Sequence, residues 1–306
     1  MRIVFMGTPD FAVPCLQRLY DLGNDVCAVF CQPDKPQGRK MILTAPPVKE
    51  KALELGIPVY QPATLKTDES FGLLKELAPE LIVVVAYGKI LPQRVLDLPQ
   101  FGCINIHASL LPALRGAAPI QWAVINGLEK TGVTSMQMNA GLDTGDILLT
   151  SEVKIAENET SEELWDRLSL LAPDVLEKTL EELNAGNLNP VKQDDSQSTY
   201  APLLSKDISA VDWNTDCATV HNKIRGLYSW PCAVTFINGK KIKLIRSIKH
   251  PELSGQPGQI IDSDDRLLIA CRTGAVEILN LQAEGKKAMS ASDYLRGNPI
   301  EKNTVI

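Results

Sequence analysis

Short apolar runs alternate with amphipathic stretches through the first half of the chain. Arg2–Met6 is one such run, closed by the turn residues Gly7-Thr8-Pro9-Asp10. Phe11, Val13, Leu16 and Leu19 then recur at helical spacing. Asp25–Phe30, Leu81–Ala86 and Cys103–His107 read as further strands. They are apolar on both faces, as in a parallel sheet covered by helices. Val133–Asn139 and Ile147–Ile155 continue the strand signals, and helices are predicted around 47–55, 68–77, 117–127 and 160–184. The last opens on Thr160-Ser161-Glu162-Glu163, an N-cap with an acidic first turn. The alternation predicts an α/β fold, a doubly wound, mostly parallel Rossmann-like sheet.

The texture changes near residue 190. QDDSQSTYAPLLSKDIS is polar, contains a proline and lacks helical period, so it reads as a linker. A short helix is predicted around 215–226. Val234–Ile237, Lys241–Ser247, Gln259–Asp262, Leu267–Cys271 and Val276–Leu281 then follow as short strands, separated by turns such as Asn238-Gly239 and Thr273-Gly274. Strands of this length and spacing predict a smaller C-terminal OB-like β-barrel. The expected division is a catalytic domain over 1–189, a linker over 190–210 and a barrel over 211–306.

A length of 306 residues agrees with two domains, and 44% apolar with 22% charged residues excludes a mostly disordered chain. The net charge of −6 argues against a protein coated in basic charge. The charge is unevenly placed, however. Residues 1–210 hold 18 basic and 27 acidic residues, whereas 211–306 hold 13 and 10. Seven widely spaced cysteines, with no C-x-x-C pair, read as reduced thiols of a cytoplasmic chain rather than a zinc site. No apolar run approaches the ~20 residues of a membrane span, so no membrane partner is expected. A monomer is the default expectation.

Gly7-Thr8-Pro9 follows the first strand, where a dinucleotide fingerprint would sit. It lacks the further glycines that let a pyrophosphate approach, which disfavours such a cofactor. The sharper feature is Asn105-Ile106-His107-Ala108-Ser109-Leu110-Leu111-Pro112. Asn105 and His107 lie two apart at a strand end, so their side chains share one side. That strand end opens on the crevice where α/β sheets bind ligands. A carboxamide beside an imidazole suits an oxyanion, and histidine can also move a proton. Locally, a structural histidine is the alternative. Gly141-Leu142-Asp143-Thr144-Gly145-Asp146 reads first as a turn. A carboxylate there could also meet His107 across the crevice and fix its tautomer.

N-I-H-A-S-L-L-P followed by G-L-D-T-G-D resembles the folate-dependent formyltransferase family. QPDKPQGRK at 32–40, LIVVVAYGKILP at 81–92, YAPLLSKDISAVDW at 200–213, KIRGLYSWP at 223–231 and GKKAMSASDYLRG at 285–297 extend the match over nearly the whole chain. These segments resemble the members that act on the methionyl group of initiator tRNA. The resemblance implies transfer of a formyl group from 10-formyltetrahydrofolate to the free amine of methionyl-initiator tRNA, with no metal. It implies Asn105, His107 and Asp143 as catalytic residues. Ser109, Leu110, Leu111 and Pro112 would contact folate, with Lys89 and Leu91 on the pterin side. Asn105 and His107 would stabilise the tetrahedral oxyanion, while Asp143 would orient His107 and assist proton transfer.

Two basic places could meet the acceptor stem, whose base edges lie hidden in a deep groove. The Pro- and Gly-rich segment 35–51 carries Lys35, Arg39, Lys40, Lys49 and Lys51. It is poorer in bases than the R-G-K-K run usual at this place in the family. Lys240, Lys241, Lys243, Arg246 and Lys249 fall within ten residues of the barrel. Lys241 and Lys243 share a strand face, with Lys286 and Lys287 as additions if the fold brings them near. A solvated surface is the alternative at both places. The competing enzyme reading is a formyltransferase acting on an amino sugar nucleotide.

Overall fold

A computed structural model describes residues 1–38 and 41–306. The chain divides into two compact units, each built from several segments. The first comprises Met1–Gly116, Gly132–Glu152 and Trp165–Tyr200, and the second Ala117–Thr131, Val153–Leu164 and Ala201–Ile306.

The first unit is organised by a seven-stranded sheet. Its order is Ile147–Lys154, Lys130–Gln137, Cys103–His107, Leu81–Val85, Arg2–Gly7, Asp25–Phe30 and Val59–Tyr60. The pairings from Cys103–His107 to Val59–Tyr60 are parallel, and Lys130–Gln137 runs antiparallel to Cys103–His107. The Rossmann-like, mostly parallel expectation therefore holds. Leu81–Val85 and Cys103–His107 are buried along their whole length, as strands covered on both faces must be. Val4, Met6, Phe30, Leu74, Ile82, Val84 and Leu91 form one core cluster on this sheet.

Chain order reverses on either side of Arg2–Gly7, since Asp25–Phe30 flanks it on one side and Leu81–Val85 on the other. That reversal is the switch point at which such sheets open a crevice beyond the carboxyl ends of their strands. Thr8 and Tyr87 leave the two strands there, and the Thr8 hydroxyl donates to the Tyr87 carbonyl at 3.0 Å. Helices run over Val13–Asp21, Pro47–Glu54 and Asp68–Leu77, close to the predicted spans. Asp68–Leu77 starts at Thr67, whose side chain caps the Ser70 N–H. Two short strands, Lys35–Gln37 and Ile42–Thr44, form a hairpin where the sequence indicated only a loop.

The second unit is built on a curled antiparallel sheet in the order Ala233–Ile237, Lys240–His250, Ala275–Ala283, Leu267–Ala270 and Ile260–Asp262. All five strands were legible in the sequence within a few residues. The helix Cys217–Gly226 packs on this sheet and begins at Asp216, which caps Thr219. Alternation supplies the core: Ile242 and Leu244 point inward while Lys241 and Lys243 point outward.

His221 on that helix is buried and neutral. Its Nε2 donates to the Glu157 carbonyl at 3.1 Å, and its Nδ1 accepts from the Ser247 hydroxyl at 2.9 Å. Burial pushes its pKa below the ordinary histidine value, and Arg225 and Lys249 act in the same direction. Above pH ~6.5 the imidazole is neutral whether the chain is folded or not. Below that value the unfolded chain takes a proton that the folded one resists. Stability should therefore fall with pH by at most ~1.4 kcal/mol per unit from this group. His221→Gln is expected to flatten that limb of a melting-temperature profile between pH 6.5 and 5, and an identical slope would contradict the assignment.

Among the described residues, no helix is long and apolar enough to cross a membrane. All seven cysteines are free thiols.

Candidate active site

Asn105 and His107 alternate with Ile104 and Ile106 along a buried strand, which turns both polar side chains to the same side. Asn105 is 9% exposed and His107 is 6% exposed. Among the described residues, the Asn105 carboxamide has no hydrogen-bond partner.

His107 is held more firmly. Its Nε2 lies 3.0 Å from the Leu114 carbonyl oxygen. A carbonyl can only accept, so Nε2 carries the hydrogen, and in the neutral ring Nδ1 presents a lone pair. Nδ1 is 3.8 Å from Asp143 Oδ2, which is beyond a hydrogen bond. The Leu114 carbonyl thus engages one ring nitrogen while Asp143 faces the other. Leu114 can aim its carbonyl this way because it adopts φ +58. Its N–H is anchored by the Thr199 hydroxyl at 2.8 Å.

Asp143 also sits in the left-handed region, at φ +52, a conformation aspartate tolerates better than most residues. Its Oδ2 accepts the Gly116 N–H at 2.8 Å. Asn139 steadies the same loop by accepting from Gly141 N–H at 3.0 Å and from the Thr144 hydroxyl at 2.8 Å. The structure thus brings Asp143 to His107 across 36 residues of chain.

The stretch after His107 is pinned rather than loose. Ser109 is fully buried and its hydroxyl donates to the Ala113 carbonyl at 2.6 Å. Thr134 donates to the Ser109 carbonyl at 2.6 Å and accepts the Leu111 N–H at 3.2 Å. Leu111 is buried, Leu110 and Pro112 are half-buried, and the Leu111–Pro112 peptide is cis. Since Leu81–Val85 and Cys103–His107 run parallel, residues 86–91 leave the sheet at the same edge as 108–112. Lys89 there turns its ammonium to the Pro62 carbonyl, and burial lowers its pKa. Leu91 packs into the core, so only its backbone could face a ligand.

A cavity of about 310 Å³ lies at the ends of the first two strands, lined by Thr8, Asp10, Gln32, Lys35, Thr44 and four prolines. Lys35 is exposed on the hairpin. Lys49 is drawn off into contacts with Asp34 at 2.7 Å and Gln61 at 2.9 Å, and Lys51 pairs with Glu54. Arg39 and Lys40 lie outside the described residues.

In the second unit, Lys240 and Lys241 are exposed and Lys243 is half-buried. Among the described residues none of the three has an ion-pair partner, whereas Arg246 pairs with Glu163 at 2.6 Å and Lys249 with Glu157 at 3.1 Å. Phe236, 60% exposed, lies in register with Lys241. Lys243 is in register with Gln282, whose amide donates to the Lys286 carbonyl, so the fold brings Lys286 beside this face.

Sequence reasoning missed Leu114, Thr199 and also Gln193, whose amide donates to the Asp143 and Gly145 carbonyls. Leu114 acts through its carbonyl, which has no side-chain signal. The other two lie in a stretch whose polarity resembled a linker. Among the described residues, no cluster of histidine, cysteine and carboxylate side chains could hold a metal ion.

The family model for formyl transferases matches residues 1–180, and the model for the formyl transferase C-terminal domain matches 203–299. A methionyl-tRNA formyltransferase of Caldanaerobacter subterraneus is 48% identical, with 100% of both chains covered. One from Geobacter sulfurreducens is also 48% identical, covering 99% of this chain and 96% of its own. Among solved structures, an N-formyltransferase from Helicobacter canadensis, in complex with folinic acid and dTDP-3-aminofucose, superposes with a TM-score of 0.71. It is 18% identical over 92% of this chain and 98% of that one. HypX from Aquifex aeolicus, in complex with tetrahydrofolic acid, superposes at 0.63 with 20% identity. It covers 99% of this chain, which spans about half of HypX, 48% of its length. At such identities these two likenesses show the fold alone.

Proposed function

This chain belongs to the formyl transferase family and is a formyltransferase, and from that premise we propose that it formylates methionyl-initiator tRNA. The donor is 10-formyltetrahydrofolate, and the product is N-formylmethionyl-tRNA for translation initiation in the cytoplasm. The observation that carries this reading is the free Asn105 amide on the same strand face as His107, with Asp143 Oδ2 3.8 Å from the His107 ring, in a chain matched end to end by methionyl-tRNA formyltransferases. The sheet edge after residues 85 and 107 suits the folate, with Ser109 to Pro112 and the backbone of Lys89 to Leu91 around it.

The neutral amine of the methionyl ester attacks the formyl carbon, and the formyl oxygen gains negative charge. The Asn105 amide donates to that oxygen from a site with little water to compete. The His107 Nδ1 lone pair receives the proton that the amine gives up. The imidazolium so formed has an N–H at Nδ1 as well, and this second donor serves the oxyanion or the Asp143 carboxylate. The proton then passes to N10 of the folate as the C–N10 bond breaks. Amine and formyl donor thereby become formamide and tetrahydrofolate, with no net change in protons.

We assign formyl transfer to residues 1–189 and tRNA presentation to 211–306, joined by 190–210. Lys240, Lys241 and Lys243 lack carboxylate partners among the described residues, so their charge is available to phosphates. Lys35, with Arg39 and Lys40, supplies the second basic contact. Charge reversal of Lys241 and Lys243 is expected to weaken tRNA binding and reduce its salt slope by roughly one for each phosphate no longer neutralised. Folate affinity should not move. An unchanged slope would return these lysines to a solvated face.

The fold alone also accommodates formylation of an amino sugar nucleotide. A steady-state assay offering methionyl-tRNA, uncharged tRNA and an amino sugar nucleotide separates the readings. Transfer to methionyl-tRNA only is expected, and transfer to the sugar only would overturn the proposal.

A further inference from the structure

We propose that Gln193 is a positioning residue for Asp143, acting from the polar segment that follows the long helix Ser161–Ala185. The inference rests on the functional reading above and extends it to a residue outside the reacting set.

The Gln193 side chain is fixed at both ends. Its amide nitrogen donates to the Asp143 carbonyl at 2.8 Å and to the Gly145 carbonyl at 2.7 Å. Its amide oxygen accepts from Arg115 Nε at 3.0 Å and from an Arg115 terminal nitrogen at 2.8 Å. The guanidinium can only donate, so the amide has one possible orientation, with its N–H groups toward the loop. Arg115 is held in turn by Asp195 at 2.7 Å.

Both carbonyls that Gln193 holds flank the turn that carries the Asp143 side chain. At φ +52 this backbone is not in its preferred well, so partners must maintain it. Gly116, next to Arg115, supplies the N–H that Asp143 Oδ2 accepts. One amide therefore ties the carboxylate's backbone to the segment that also binds its side chain. The bracing thus acts on the residue whose Oδ2 lies 3.8 Å from His107 Nδ1. A shift of about 1 Å in such a group can lower rates ~100-fold.

Gln193→Glu tests the role. The substitution preserves shape and strengthens the contact with Arg115, but it removes both N–H donors and turns an oxygen toward two carbonyls. Turnover should fall ~10- to 100-fold, with KM for 10-formyltetrahydrofolate within about twofold and the melting temperature little changed. Gln193→Leu should fall similarly in turnover and also lose stability. In an Asp143→Asn background Gln193→Glu should have little further effect, since the group it positions is already disabled. Natural turnover in Gln193→Glu, or the same fold-loss in both backgrounds, would overturn the role, as would a loss explained by unfolded protein. The natural chain is assayed alongside with methionyl-tRNA. No transfer by it defeats the functional reading and this role together, whereas transfer by it and equally by Gln193→Glu defeats this role alone.

Discussion

Asn105→Ala is expected to lower turnover by ~10²–10³ while folate affinity stays nearly unchanged. Two features make this substitution informative. The carboxamide has no hydrogen-bond partner among the described residues, so its removal orphans no donor or acceptor of the protein. It also sits on a central strand held by backbone pairing to Val84 on one side and Met136 on the other, so the backbone should keep its place. The loss should therefore fall on kcat, as for an interaction made chiefly in the transition state. Rapid-quench measurement of formyl transfer at saturating folate reads this directly. An alanine variant with near-natural turnover would remove Asn105 from the chemistry.

Gly145→Ala is expected to reduce turnover by ~100-fold through backbone displacement. A Cβ at residue 145 would lie 1.6 Å from the Gln137 carbonyl oxygen and 2.8 Å from the Gln137 carbonyl carbon. Neither is the movable end of a side chain, so the loop itself must shift. That loop carries Asp143 two residues earlier and receives the Gln193 amide at Gly145. The same clash should lower stability, by ~1–3 kcal/mol as for an overpacked core. Turnover and thermal melting of the variant check both parts. Unchanged values would mean that the loop has slack this geometry does not allow.

The sequence revealed more of the fold than of the site. The apolar run at 81–85 marked a buried strand because a covered parallel strand has no wet face, and Cys103, Ile104 and Ile106 marked its neighbour around the two polar positions. Alternation along 240–250 marked an antiparallel strand with one wet face. Asn105 and His107 were readable together because period two and a strand end place them without any long-range contact. Asp143 needed the tertiary fold, since its approach to His107 depends on the Gly116 contact and on φ +52. The Leu114 carbonyl was unreadable in principle, because every residue has a carbonyl and only φ +58 aims this one. Lys49 shows the opposite failure. It counted toward a basic loop, yet its charge is taken up by Asp34, whose carboxyl it helps hold below the ordinary range. The hairpin strands escaped notice because three-residue strands, one of them containing Pro36, carry almost no periodic signal.

The most direct measurement follows the transferred carbon. 10-Formyltetrahydrofolate labelled in its formyl group is incubated with the full chain and methionyl-initiator tRNA, and the aminoacyl ester is then cleaved with mild base. Recovery of the label as N-formylmethionine, with one tetrahydrofolate formed per label transferred, is the predicted result. Label recovered as free formate, or absent from methionine while an amino sugar nucleotide in the same mixture acquires it, would contradict the account.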